Sequence, residues 1–231
     1  YLSRGLGDVY KRQLWNTTPD DVLLEAAAAG ELTVEAGLAA QVDRMLDDER
    51  ARQGVEAFFT DMLSLDDLDT LNKDPLIYAY MSDDLGASAR EETLAGIERV
   101  VFDTDGDYRS LLTGREVYVD RRLAAIYDIP APSMDGFGWT TLPDDGVRQG
   151  LLGQVGILAL YAHATSTSVT LRGIFVREVL LCQKIPAPPS DVDTSIPEVS
   201  DDALTMRERV AAHLEEPSCA ACHQFTCLLY T

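Results

Sequence analysis

The stretch from Thr33 to Gln53, "TVEAGLAAQVDRMLDDERARQ", decides the fold. Its apolar side chains recur at helical spacing and share one face: Val34, Leu38, Val42, Met45 and Leu46. Thr33 precedes this run and is the predicted N-cap of the helix. The same period continues through most of the chain, so the sequence predicts a mainly α protein.

Helices are predicted on both sides of this stretch. In "TTPDDVLLEAAAAGEL", Thr18 is the predicted N-cap, Pro19 takes the first helical position and Gly30 ends the helix. Later helical runs are "GVEAFFTDMLSLDDLDTL", "SAREETLAGIERVVF", "DYRSLLTG" and "VYVDRRLAAIYDIP". No stretch alternates long enough to predict a strand.

A cluster of Gly and Pro in "DIPAPSMDGFGW" marks the predicted domain boundary. It separates a helical domain of residues 14–137 from a smaller helical domain of residues 138–226. The second domain contains two apolar helices joined by a Ser/Thr turn, with Thr167 or Ser168 as the cap. A Pro-rich spacer over residues 186–200 then leads to a last helix, "LTMRERVAAHLEEP".

That last helix delivers the run Cys219-Ala220-Ala221-Cys222-His223. Two thiols at this spacing add to the two vinyl groups of one haem, and the following His is placed to bind the iron as proximal ligand. The sequence therefore predicts haem c as the cofactor, held by Cys219 and Cys222, with His223 on the iron.

Three other interpretations of the motif remain open. A zinc site needs four ligands, and the remaining Cys and His, none at zinc-finger spacing, are Cys182, Cys227, His163 and His213. A redox-active pair or a simple disulfide between Cys219 and Cys222 are the others. We expect Cys182 to be an unpaired and buried side chain on an apolar helix.

The distal haem ligand is expected to lie outside this chain. Met206 and His213 precede the motif on its own helix and would need a sharp chain reversal to reach the opposite face of the haem. His163 lies beyond the spacer and is the best internal candidate, although capping a helix end or facing solvent in a turn is its favoured role.

The charge and the missing motifs exclude several classes of function. A formal net charge of −20 makes nucleic acid and anionic membrane surfaces poor partners. No apolar run approaches twenty residues, so no direct membrane insertion is expected. No Ser-His-Asp order, phosphate-binding loop or metal-spaced His pair indicates hydrolase or nucleotide chemistry, which leaves a redox protein as the enzyme-like possibility.

Two weaker candidate sites have ordinary structural explanations. The carboxylates from Asp103 to Asp107 suggest calcium, but EF-hand residues are missing, and we expect a solvated loop in which Asp107 caps the next helix. Four arginines are candidates for binding a carboxylate or a haem propionate, against salt bridging as the structural alternative: Arg121, Arg122, Arg172 and Arg177.

The two ends of the chain have a different character. Residues 1–13, "YLSRGLGDVYKRQ", and residues 227–231, "CLLYT", resemble translated sequencing-adapter read-through, and we expect both to be artefacts. On this interpretation the chain is a fragment whose haem domain is truncated and whose signal peptide is missing through truncation.

Several stretches together resemble one family. They include "LWNTTPDDVLLEAAAAGEL", "RQGLLGQVGILALYAHATSTSVTLRGIFVREVLLCQKIPAPP" and "RERVAAHLEEPSCAACH". The chain resembles planctomycete-type cytochrome c-like surface or exported proteins, in their paired domains of unknown function of the PSD and PSCyt type. The resemblance covers nearly everything from Leu14 to His223, and it implies a multi-domain, extracytoplasmic haem protein of the periplasm or cell surface.

Together these observations predict electron transfer by covalently bound haem. The expected partner is a redox protein or another domain of the same full-length chain. The alternative, from a different class, is a helical scaffold or interaction module of an exported protein, in which the haem is structural or unloaded.

Overall fold

A computed structural model describes residues 14–104, 107–185, 200, 204–205 and 208–211. Within these residues the protein is mainly helical, as the sequence predicts, with one short two-stranded sheet. None of the helices in these ranges is both long and apolar enough to cross a bilayer.

The α-helices are short to medium in length. Their bounds are α1 Asp21–Ala28, α2 Glu35–Leu46, α3 Arg50–Leu63, α4 Leu85–Glu98, α5 Ser110–Thr113, α6 Arg121–Tyr127, α7 Gly150–Gly153, α8 Val155–Leu160 and α9 Val169–Ile174. Two 3-10 turns cover Glu31–Thr33 and Leu65–Thr70. Two π-helical turns, Arg99–Asp103 and Phe175–Leu180, continue α4 and α9.

The first helix begins two residues later than Thr18 and Pro19 predict. Asp20 is the N-cap, because its carboxylate accepts a hydrogen bond from the Leu23 N–H at 3.0 Å. The same carboxylate pairs with Arg44 at 2.8 Å, so it joins α1 to α2 as well as capping α1. Gly30 follows the helix with a φ of 78°, which confirms the predicted end.

Thr33 is not the N-cap of α2. It closes a 3-10 turn, and its hydroxyl donates to the Gly30 carbonyl at 2.6 Å. The extended residue before the helix is Val34, which has no side chain that can cap. The Thr33 hydroxyl is therefore bonded within the 3-10 turn and does not cap α2.

The segment "VYVDRRLAAIYDIP", predicted as one helix, contains a strand and then a helix. Strand β1 (Glu116–Val119) pairs antiparallel with β2 (Gly138–Thr141), with Tyr118 opposite Trp139. Only four residues alternate, and the partner strand lies beyond α6 and the loop that follows it, so the local pattern could not predict the pairing. Asp120 then caps α6 by accepting from the backbone N–H groups of Arg122 and Leu123.

Two groups of buried side chains form the core. The smaller group lies near the start of the described chain and surrounds Trp15, whose indole N–H donates to the Met45 carbonyl at 2.8 Å. The larger group extends from Phe59 to Phe175. It therefore contains residues from both sides of the predicted boundary at residue 137, and the β1–β2 pair also spans that boundary.

The start of α9 follows the predicted Ser/Thr turn. The Ser168 side chain accepts a hydrogen bond from the Leu171 N–H at 3.2 Å, so Ser168 is the cap, as the sequence predicts. Thr167 lies one residue earlier and pairs with Ala162 in an isolated bridge.

Candidate functional site

The predicted haem-binding residues lie outside the described residues. Cys219, Cys222 and His223 belong to residues 212–231, as does His213, and Met206 also falls outside. Most of the Pro-rich spacer does too. The haem site therefore stays a prediction from the motif. The described residues show the structure of the helical region that precedes the motif in the chain.

The predicted arginines have different environments. Arg122 bridges Asp84 at 2.7 Å and Asp120 at 3.0 Å, which confirms the structural alternative for this residue. Arg121 beside it is exposed. Arg172 donates to the Ser168 carbonyl and to Thr167 Oγ1, and Arg177 donates to Gln183.

The acidic loop around Asp103 is held by arginines. Asp103 pairs with Arg52 at 2.6 Å, and the Asp107 carboxylate accepts from the Arg109 backbone N–H at 2.9 Å. The prediction that Asp107 caps α5 is therefore wrong: the residue at the N-cap is Arg109, no side chain caps the helix, and the Asp107 carboxylate bonds within the preceding turn. Among the described residues, no three potential ligand side chains come together to hold a metal ion.

Cys182 is exposed, so the prediction of a buried side chain is wrong. The apolar helix that was expected to bury it ends at Leu180, and Cys182 follows in a left-handed conformation with a φ of 52°. The helical period continues in the sequence for two residues beyond the point where the helix stops. A free thiol is confirmed for this residue.

His163 lies in the turn between α8 and α9 and its side chain is exposed, as the favoured interpretation predicts. Its backbone N–H donates to the Ser166 carbonyl at 2.9 Å. Its carbonyl accepts from Lys73 Nζ at 3.1 Å. The backbone of His163 is thus fixed on both sides while its imidazole faces solvent.

A buried acid that the sequence analysis missed lies inside the larger core. Glu92 is fully buried and accepts a hydrogen bond from the Tyr127 hydroxyl at 2.6 Å. That hydroxyl in turn accepts from the Val155 N–H at 3.0 Å. Next to Glu92, Thr93 donates to the Gln154 side chain at 2.8 Å. Two adjacent residues of α4 therefore hold the first residues of α8.

Burial changes the ionisation of this acid. Removal from water raises the pKa of Glu92 to about 8, against the opposing effect of the Tyr127 hydrogen bond. Burial also raises the pKa of Tyr127 well above its usual value. Glu92 is therefore protonated at neutral pH, and because solvent does not reach it, the arrangement joins helices and does not offer a catalytic acid.

A signal for Glu92 was present in the sequence. Leu85, Ala89 and Ile97 form an apolar stripe along α4, and Glu92 lies three residues after Ala89 on the same face. A charged residue on a buried helical face needs a polar partner. The partner, Tyr127, is 35 residues away in the chain. The sequence therefore indicates that Glu92 needs a polar partner but does not identify that partner.

An apolar cavity of about 530 Å³ lies beside this network. Its wall includes Ile126, Val155 and Leu158 from the helices, and Tyr78 and Met81 from the loop between the Leu65–Thr70 turn and α4. The loop is fixed to the turn that follows α8, because the Asp74 N–H donates to the Ala164 carbonyl at 2.9 Å.

Three cations also line this cavity: Lys73, Arg148 and Arg172. Lys73 Nζ donates to the Ala162 carbonyl at 2.6 Å, and partial burial lowers its pKa. Arg148 donates to the Gly153 carbonyl at 3.1 Å, and its guanidinium lies 5.4 Å from the Tyr127 ring centre. A mainly apolar cavity with cationic side chains in its wall suits a ligand that is apolar and carries a negative charge.

Family comparisons divide the chain where the Gly/Pro-rich loop lies. A family model for PSD4, a protein of unknown function (DUF1592), matches residues 12–129, and a model for PSCyt3, a protein of unknown function (DUF1588), matches residues 148–227. These matches confirm the predicted resemblance to domains of the PSD and PSCyt type. No curated protein and no solved structure matches the chain.

Proposed function

Given that the chain belongs to the PSD4 family of proteins of unknown function (DUF1592), we propose that it is part of a multi-domain c-type haem protein whose haem transfers electrons. One observation carries the proposal. The run Cys219-Ala220-Ala221-Cys222-His223 lies within residues 148–227, which match a second family whose name, PSCyt3, hints at a cytochrome-like protein.

The donor set of this run fits haem. Cys219 and Cys222 supply the thiols for two thioether bonds, and His223 supplies an imidazole nitrogen for the iron. When bound, the haem accepts and releases one electron at its iron, at a potential set by the axial ligands, hydrogen bonding and burial. The chain's own residues anchor the group and fix the side from which His223 approaches.

The described body suits a carrier role. The polar network of Glu92 with Tyr127 and Val155 lies within the core and joins helices, and Glu92 Oε2 has no hydrogen-bond partner among the described residues. Electron transfer requires positioning of the haem and a docking surface, but no acid–base group on this body. The strongly acidic surface favours a basic redox partner or a neighbouring domain of the full-length protein.

Because covalent haem attachment belongs to oxidising compartments outside the cytoplasm, we place the protein in the periplasm or at the cell surface. The same compartment would oxidise an unloaded Cys219–Cys222 pair.

The second candidate function is a helical interaction module with a structural haem. The observation that favours it is the large core, which joins described residues from Phe59 to Phe175 on both sides of the Gly/Pro-rich loop. A helical domain with such a core can bind other domains whether or not the haem transfers electrons.

A redox titration separates the two functions. The haem-loaded chain should show one reversible midpoint potential in spectroelectrochemistry and should exchange electrons rapidly with a small basic redox protein. The exchange rate should fall as salt is added, because the chain is acidic. A haem that is not reduced and reoxidised reversibly, or that exchanges no electrons, would contradict the carrier role and favour the structural one.

A further inference from the structure

The cavity between the Lys73 loop and α8 has an unusual charge for this protein. The chain has 39 acidic and 19 basic residues, yet the described residues that line this cavity include Lys73, Arg148 and Arg172 and no carboxylate. A neighbouring cavity of about 540 Å³ shares Arg148, Leu158 and Arg172 with it, and its wall likewise contains no carboxylate from the part of the chain that the structure describes. Clefts lined by one sign of charge concentrate ligands of the opposite sign.

Arg148 carries a positive charge that no described carboxylate neutralises. It is half-buried, and within the described ranges it forms no ion pair with an acidic side chain. Among the described acids, Glu92 interacts with it electrostatically, and burial raises the pKa of Glu92 to about 8. A half-buried cation beside a neutral acid is expected to favour an anionic ligand.

Lys73 provides a second fixed charge in the same wall. Its ammonium group donates to the carbonyls of Ala162 and His163, at 2.6 and 3.1 Å. These bonds hold the side chain against the turn after α8 but do not cancel its charge. The ammonium group has three donors, so one is left for a ligand.

The remainder of the cavity is apolar. Leu71, Leu158 and Ala159 contribute to its wall. At its rim, Ile77 and Tyr80 are 55% and 61% exposed, which is high for large apolar side chains. An apolar ligand that enters would remove these side chains from water as well as its own surface.

We propose that this cavity binds an apolar molecule that carries a carboxylate, with Arg148 and Lys73 as its anion-binding residues. The ligand class has two sources: a free fatty acid, or a porphyrin with its propionate groups. The proposal depends on the cavity and its cations and does not require haem attachment at Cys219 and Cys222.

The first experiment compares an anion with its neutral counterpart. The whole chain is prepared with Cys219→Ala and Cys222→Ala, so that no haem is attached, and is titrated calorimetrically with octanoate and with octanol. We expect octanoate to bind about tenfold more tightly than octanol, because a charge-assisted contact accompanies the same apolar contact. Absence of binding, or equal binding of the two, would overturn the proposal.

Variants then locate the site. Arg148→Gln should weaken octanoate binding about tenfold and leave octanol binding unchanged. The matched control is Arg109→Gln, which removes an exposed arginine outside the cavity. Lys73→Gln should weaken octanoate binding in the same direction, which keeps the test valid if Arg148→Gln impairs folding.

A filled cavity tests the apolar part of the site. Ala159→Phe should abolish binding of both octanoate and octanol, whereas Ala87→Phe, at an exposed position of α4, should preserve both. Circular dichroism confirms folding of each variant. Undiminished binding in Ala159→Phe would overturn the placement of the ligand.

The source of the carboxylate is distinguished by a third probe. Iron-free mesoporphyrin is titrated into the same cysteine-free chain and followed by its fluorescence. Tighter binding of the porphyrin than of octanoate assigns the site to propionates, and the reverse order assigns it to a free fatty acid. Either order supports the proposal if Arg148→Gln weakens the tighter probe, and insensitivity of both probes to Arg148→Gln contradicts it.

Discussion

At the scale of single residues, Glu92 makes the stability of the protein depend on pH. Its pKa is raised by burial to about 8 in the folded protein, above the ordinary value of 4.5. Between these values the unfolded chain loses the proton while the folded chain keeps it. The free energy of unfolding should therefore fall as pH rises through this window, by at most about 1.4 kcal/mol per pH unit from this group.

The variant Glu92→Gln tests this effect. The glutamine can still accept from Tyr127, but it does not ionise, so its free energy of unfolding should depend less on pH between 5 and 8. Glu98, whose pKa is raised to about 7 by burial and by the neighbouring Glu56, acts in the same direction but is present in both proteins. Urea unfolding at pH 5 and pH 8 gives the comparison, and equal pH dependence in the two proteins would refute the role of Glu92.

His163 is the internal residue whose role as a haem ligand can be tested directly. Its imidazole is exposed in a turn, and its backbone is fixed by Lys73 and Ser166. We expect the distal ligand to come from elsewhere, so His163→Ala should leave the absorption spectrum of the haem-loaded full-length protein unchanged. Conversion of a low-spin six-coordinate spectrum to a five-coordinate one would instead make His163 the ligand.

At the scale of elements, α4 packs so closely on the preceding turn that one of its positions requires glycine. A Cβ atom at Gly86 would lie 2.0 Å from the Leu68 carbonyl oxygen, whereas a Cβ at Gly96 would meet only the Gln154 side chain, at 3.8 Å. Gly86→Ala should therefore destabilise the protein by about 2 kcal/mol or more. Gly96→Ala, on the same helix, should be neutral or stabilising by up to about 1 kcal/mol.

Thermal and urea unfolding of these two variants gives a matched comparison. If Gly86→Ala proved as stable as Gly96→Ala, the close packing of α4 on the Leu65–Thr70 turn would be wrong.

The elements that could be predicted from sequence are those fixed by local chemistry. Ser168 caps α9 and Gly30 ends α1, because a hydroxyl and a left-handed glycine act on neighbouring residues. The elements that were missed depend on distant partners. Asp20 pairs with Arg44 besides capping α1, and β1 is a strand because β2, which follows α6 and a loop, pairs with it. Glu92 belongs to the same class, since its partner Tyr127 is distant in sequence.

At the scale of the whole molecule, the two family-matched regions share one core. Residues 12–129 and 148–227 match separate family models, but Leu123 and Val119 lie in the same buried cluster as Ile157 and Phe175. The Glu92–Tyr127–Val155 chain of hydrogen bonds also crosses between these regions. The sequence alone could not show that these two regions pack together, because the contacts between them join residues that are distant in sequence.

Separate expression tests this shared core and the predicted domain boundary together. Residues 14–147 alone would expose the side chains that pack on Ile157 and Phe175. We expect this piece to bind a hydrophobic dye and to lose cooperative thermal unfolding, whereas residues 14–185 should unfold cooperatively. Independent cooperative folding of residues 14–147 would favour the predicted boundary over a shared core.

The central claim is covalent haem at Cys219 and Cys222, and intact-mass spectrometry after expression with haem-maturation machinery in an oxidising compartment tests it most directly. The chain should gain the mass of one haem and keep it through acid–acetone extraction, since thioether bonds survive denaturation. The paired replacement Cys219→Ala and Cys222→Ala should lose that mass, while Cys182→Ala, which removes the exposed free thiol, should retain it. An unchanged mass, or haem that leaves on extraction, would contradict the account.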